Sequence, residues 1–127
     1  MKIAVIASRL LLGLLFAVFG LNGFLNFIPM PPPTGVAGQF MGALFVSKYL
    51  LVVFALELIA GALLLANRFV PLALAMLAPI LVNIVLFHAF MAPAGFAPAV
   101  VACALWTVLF ARERAAFAPL WASKSTT

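Results

Sequence analysis

The chain has 127 residues, of which 69% are apolar and only 7% charged, with a formal net charge of +5. Soluble domains carry about a quarter charged residues, so this composition leaves a soluble fold with nothing to coat its core and points to a membrane protein. One cysteine, Cys103, excludes an internal disulfide or a C-x-x-C redox pair, and with it a dithiol oxidase acting alone.

A spanning helix needs about 20 predominantly apolar residues, because roughly 30 Å of hydrocarbon is crossed at about 1.5 Å per residue. The first such stretch runs from Ile3 to Phe27. Its basic start has the look of a secretory signal, but the apolar run is too long, Arg9 interrupts its beginning and no A-x-A-like site follows. A retained helix is therefore expected. Gly13, Ala17 and Gly20 form a small-residue stripe suited to close helix packing, while Asn22 and Asn26 share roughly the opposite face.

I-P-M-P-P-P-T-G (28 to 35) cannot continue a helix. Within the loop 28 to 43, Thr34 is a capping-type residue, and Val36, Phe40, Met41 and Leu44 fall at helical spacing. A short interfacial helix carrying Gln39 is predicted there. It either covers the bundle or acts as a lid, with Gly35, Gly38 and Gly42 allowing it to move.

The second span is predicted from Leu44 to Ala66 and the third from Val70 to Phe90, divided by the polar turn Asn67-Arg68 ahead of Pro71. Glu57 lies nine residues from Lys48 and eleven from Arg68, which puts it near the bilayer middle and beyond the reach of either. In the third span Pro79 has no N–H for the Ala75 carbonyl, so a kink is expected one turn before Asn83. A-P-A-G (92 to 95) precedes the fourth span, from Gly95 to Ala111, and a tail from 112 to 127. Cys103 reads as a small core residue one turn from Thr107. The predicted fold is all-α: a four-transmembrane-helix bundle with a short interfacial helix in the first outer loop.

With alternating helices, Lys2, Arg9, Arg68, Arg112, Arg114 and Lys124 share one side, and only Lys48 lies on the other. The positive-inside rule makes the basic side cytoplasmic, so both termini are expected inside and the 28 to 47 loop outside. The same distribution accounts for the net charge through lipid anchoring rather than through nucleic acid.

Counted from these ends, Asn22, Asn26, Asn83 and His88 fall in the outer half of the membrane, with Glu57 at its inner limit. They are candidates, with Gln39 above them, for one outward-facing pocket that binds a ligand or handles a proton. At about 100° per residue, Asn83 and His88 are about 140° apart, so they share a site only if His88 sits at the helix end or the kink rotates it. Plainer readings stand beside each candidate. The two Asn can bond across a helix interface, His88 can be a boundary residue, and Glu57 can be a neutral carboxyl donating one interhelical bond. An ionisable group at this depth costs about 2.5 kcal/mol or more if charged, which marks Glu57 as the leading functional candidate. No catalytic constellation, P-loop or dinucleotide fingerprint is present, and one histidine with two carboxylates offers no metal site. The chain is not expected to be an enzyme on its own.

R-L-L-L-G-L-L-F-A-V-F-G-L-N-G-F-L-N-F-I-P (9 to 29), A-L-E-L-I-A-G-A-L-L-L-A-N-R-F-V-P-L-A-L (55 to 74) and A-P-I-L-V-N-I-V-L-F-H (78 to 88) resemble the DoxX family of small bacterial integral membrane proteins. The resemblance implies four transmembrane helices in a bacterial inner membrane and, for some members, association with redox or oxidative-stress complexes. Three readings follow. The chain is an accessory subunit holding a lipid-like or quinone-like molecule beside a membrane redox partner, a structural or assembly protein with no ligand, or a small transporter that must form a homo-oligomer.

Overall fold

The computed structural model describes residues 2–126. The described chain is all-helical, with four helices long and apolar enough to cross a membrane and one shorter apolar helix. α1 spans Lys2–Leu25, α2 Gly35–Val46, α3 Tyr49–Ala66, α4 Val70–Phe90 and α5 Phe96–Phe117. One-turn 3₁₀ segments precede and follow α5, at Pro93–Gly95 and Ala118–Trp121. The long helices run up and down in a closed ring in which α1 packs on α3, α3 on α4, α4 on α5 and α5 on α1. The start of α1, the end of α5 and the α3–α4 turn lie at one end, and α2 lies at the other.

Leu12, Phe16, Ala60, Leu64, Ala73, Leu74, Leu77, Ala102 and Leu109 meet in the middle as the core. Most other large apolar side chains point outward, as a bilayer requires and water forbids. The small-residue stripe of α1 is the tightest seam. A methyl group added at Gly20 would sit 2.7 Å from the Leu58 amide nitrogen and 2.9 Å from the Phe54 carbonyl oxygen. One added at Gly61 would collide with the backbone nitrogen of Ala17. Only a residue without Cβ lets the two backbones come so close.

Three boundaries differ from the sequence reading. The first helix ends at Leu25 rather than Phe27, because Asn26 turns left-handed at φ 51 and its N–H bonds the Asn22 carbonyl at 2.8 Å. Asparagine is among the few residues that tolerate this helix-ending conformation. The second span begins at Tyr49 rather than Leu44. The Ser47 hydroxyl donates to the Leu44 carbonyl at 3.2 Å and accepts from the Tyr49 N–H at 3.3 Å, while Lys48 adopts φ 65. Side-chain bonds of this kind compete with the helix ladder and turn the chain. The fourth span runs on to Phe117 instead of stopping at Ala111, since Ala, Arg and Glu are good helix formers and charge ends a membrane span without ending a helix.

The α3–α4 turn is closed by a paired motif in which Arg68 N–H bonds Leu63 O at 3.0 Å and Asn67 N–H bonds Leu64 O at 3.2 Å. Asn67, at φ 55, stands where glycine is usual. Pro71 then opens α4 at a position where its missing N–H costs nothing. α4 continues as helix through Pro79.

Candidate functional site

Among the described residues, no hydrogen bond or ion pair joins any two of the six candidate side chains. Asn22 is buried and clamps the turn after α1. Its Oδ1 accepts the Ile28 N–H at 2.7 Å, and its Nδ2 donates to the Ile28 carbonyl at 3.3 Å. Asn26 forms the left-handed helix stop just described. The two residues therefore end one helix rather than bridge to another.

Asn83 is exposed on α4, and its Nδ2 donates back to the Pro79 carbonyl at 2.8 Å. His88 Nδ1 lies 3.0 Å from the Ala92 carbonyl, which can only accept, so Nδ1 carries the proton. The same ring lies against Gly95, where a Cβ would strike it, and meets Phe87 edge-on at 5.1 Å. His88 thereby fastens the α4–α5 connection. Gln39 is exposed on α2. Thr34 occupies the position before α2 but makes no side-chain cap.

Glu57 alone among the six is both buried and without a polar partner. It is 8% exposed and makes no hydrogen bond or ion pair. It shares the inner face of α3 with Ala60, Gly61 and Leu64, all buried. One turn above it, the Phe54 ring packs on the Gly23 backbone so closely that no Cβ fits there.

Above Phe54 the structure opens into a groove of about 420 Å³ between the end of α1 and the α2–α3 corner. Phe24, Phe45, Leu51 and Phe54 form its apolar walls, and Asn26 and Lys48 supply its polar lining. Both polar residues hold left-handed backbone, at φ 51 and φ 65. Non-glycine residues in this conformation cost free energy and tend to gather where a site needs a particular shape. Asn26 is thus the candidate from the sequence that lines this groove. Lys48, seen in the sequence only as a lone outer charge, is the residue that joins it. Their meeting depends on the corner at Ser47, which apolar periodicity cannot reveal.

Two other polar contacts were missed. The Arg9 guanidinium donates to the carbonyls of Leu64 and, at 3.3 Å, Leu65, so it caps the C-terminal end of α3 from the neighbouring helix. A cation is favourable there because those carbonyls are left over at the negative end of the helix dipole. Trp106 Nε1–H bonds the Leu74 carbonyl at 2.9 Å and ties α5 to α4.

Among the described residues no group of three or more His, Cys, Asp or Glu could hold a metal ion. Comparison with known proteins adds no family: no family model, curated protein or solved structure matches the chain.

Proposed function

We propose that this protein is a DoxX-type accessory membrane subunit that holds a lipid-like or quinone-like amphiphile in the groove between α1 and the α2–α3 corner. The observation that carries the reading is the pairing of apolar walls with Asn26 and Lys48 in one cavity. Its volume falls in the range of about 300–1,000 Å³ typical of small-molecule sites, and its chemistry suits a molecule with an apolar body and a polar end. The charge distribution supports an orientation with this groove outward and both termini cytoplasmic. The family resemblance extends the reading to a bacterial inner membrane and a redox or stress-system partner. Glu57 lies outside the groove, below the Phe54 ring, and is given no contact with the bound molecule.

The test is native mass spectrometry of protein extracted gently from its own membrane, with the bound small molecules identified. Wild type is expected to carry one amphiphile per chain, Leu51→Trp to lose it by filling the groove, and Glu57→Gln to keep it. A wild-type protein that emerges empty, or a Leu51→Trp variant that retains its load, would sink the reading. The structural alternative, an assembly protein with no ligand, is favoured by one observation: Asn22, Asn83 and His88 each bond a backbone group four to six residues away. It predicts the empty wild type.

A further inference from the structure

The outward face of α4 carries a polar group that lipid cannot satisfy. Leu72, Ala75, Pro79, Asn83, Leu86 and Phe90 recur at three- and four-residue spacing and are all exposed, so they form one stripe facing away from the bundle. Asn83 lies three residues past Ile80, the centre of this 21-residue helix, and so roughly 5 Å from the helix midpoint. Its side chain offers two N–H donors and two acceptor lone pairs. One donor is used on the Pro79 carbonyl. No other bond of Asn83 exists among the described residues. Hydrocarbon supplies no partner for the remainder, and the same stripe contains Ala75, whose carbonyl Pro79 cannot serve.

We infer that this stripe is the interface of a homodimer, with Asn83 of each copy bonding Asn83 of the other across a two-fold axis. A second copy is favoured over an unrelated partner for a geometric reason. Copies inserted in one orientation are related by an axis along the membrane normal, so residue 83 meets residue 83 at the same depth without any further tuning. An unrelated partner would have to present its own polar group at that depth. The surface beside the stripe is shaped to receive side chains. An almost wholly apolar groove of about 360 Å³ between α4 and α5 includes Leu86 of the stripe and its neighbour Val82. The amide carboxamide pairs as donor and acceptor with its symmetry mate, a form of interhelical bond common between membrane helices. The inference does not depend on the ligand groove, whose lining includes no residue of α4.

Two measurements on the full chain in liposomes decide it. In a Cys103→Ser background, Leu86→Cys, on the stripe with Asn83 retained, is expected to give a covalent dimer on mild oxidation, while Ile59→Cys, on the exposed face of α3, gives little. Single-molecule photobleaching over a dilution series is expected to show wild-type dimers whose midpoint Asn83→Leu weakens by about tenfold. Wild type that stays monomeric at every dilution, or oxidation that links position 59 as readily as position 86, overturns the inference. So does an Asn83→Leu midpoint equal to that of wild type. Should Asn83→Leu fail to fold, the cysteine pair decides alone.

Discussion

The antiparallel pairs α1–α3 and α4–α5 are built from opposite kinds of residue. In α1–α3, Gly13, Gly20 and Gly61 bring one backbone onto the other, and little room remains between them. In α4–α5, large side chains keep the helices apart, Trp106 reaches across to the Leu74 carbonyl, and a groove of about 360 Å³ opens beside it. Between helices in lipid there is no hydrophobic gain to be had, because the tails are as apolar as the side chains. What holds the helices together is dispersion at short range or a directional hydrogen bond. The first pair uses mainly dispersion, at the close approaches of Gly13, Gly20 and Gly61. The second adds one indole bond to its core contacts and leaves a groove open beside it.

The strongest way to break this contrast is to put a side chain into the seam. Gly61→Leu forces four carbons into a space where even Cβ meets the backbone of Ala17 and Gly13. Backbone cannot step aside as a flexible side chain does, so the loss is expected at about 3 kcal/mol or more. The gain in helix propensity, at most about 1 kcal/mol, does not offset it. Thermal melting in mild detergent checks this, with Gly42→Ala as the control. A Cβ at Gly42 meets nothing within 4 Å, so that variant is expected to melt at or above wild type. A Gly61→Leu protein that melts with wild type would show that the seam is not close-packed.

The contrast was half legible in the sequence. Gly13, Ala17 and Gly20 announce a seam because their spacing alone puts them on one helix face, and the apolar run lengths announce four spans. The partners of the polar residues were not legible, for a physical reason. Periodicity locates a side chain on a helix, but Asn22 bonds Ile28, and His88 bonds Ala92, in turns whose course depends on left-handed residues or a 3₁₀ segment. Arg9 and Trp106 escaped because each bonds a carbonyl on another helix, at sequence separations of 55 and 32, and every residue has a carbonyl. Glu57, by contrast, stands where its position in the apolar run put it, buried in mid-span.

Arg9 sharpens the description of the first pair, since its two bonds to Leu64 and Leu65 are the only side-chain hydrogen bonds between α1 and α3 among the described residues. Arg9→Met keeps an unbranched side chain of similar reach and removes only the charge and its donors. The freed carbonyls of Leu64 and Leu65 lie at the end of a span, where water can replace the lost donor in part. A cost of about 1–2 kcal/mol is expected, less than that of Gly61→Leu, and it should fray α3 before the bundle melts. Hydrogen exchange at the amides near Ala66 reads this directly: faster exchange there with the rest unchanged is the expected pattern, and uniform exchange would assign Arg9 no capping role.

The smallest effect tests the second pair. Trp106→Phe deletes the Nε1–H bond to Leu74 and keeps an aromatic ring to stack on Phe110, now at 5.1 Å and nearly parallel. Loss of the bond alone is worth about 1 kcal/mol, because the Leu74 carbonyl already serves as a helix acceptor and is not left bare. If the indole bond is what joins α4 to α5, that small loss should be concentrated there. Cysteines placed across the two helices at Val82 and Thr107, which both line the groove, would then cross-link over a wider range of reagent lengths in Trp106→Phe than in wild type. The same substitution should leave the distances between α1 and α3 untouched, since their backbone contact does not pass through α5. A change that spread equally to both pairs would mean that the bundle behaves as one rigid unit, and that the glycine seam has no separate standing.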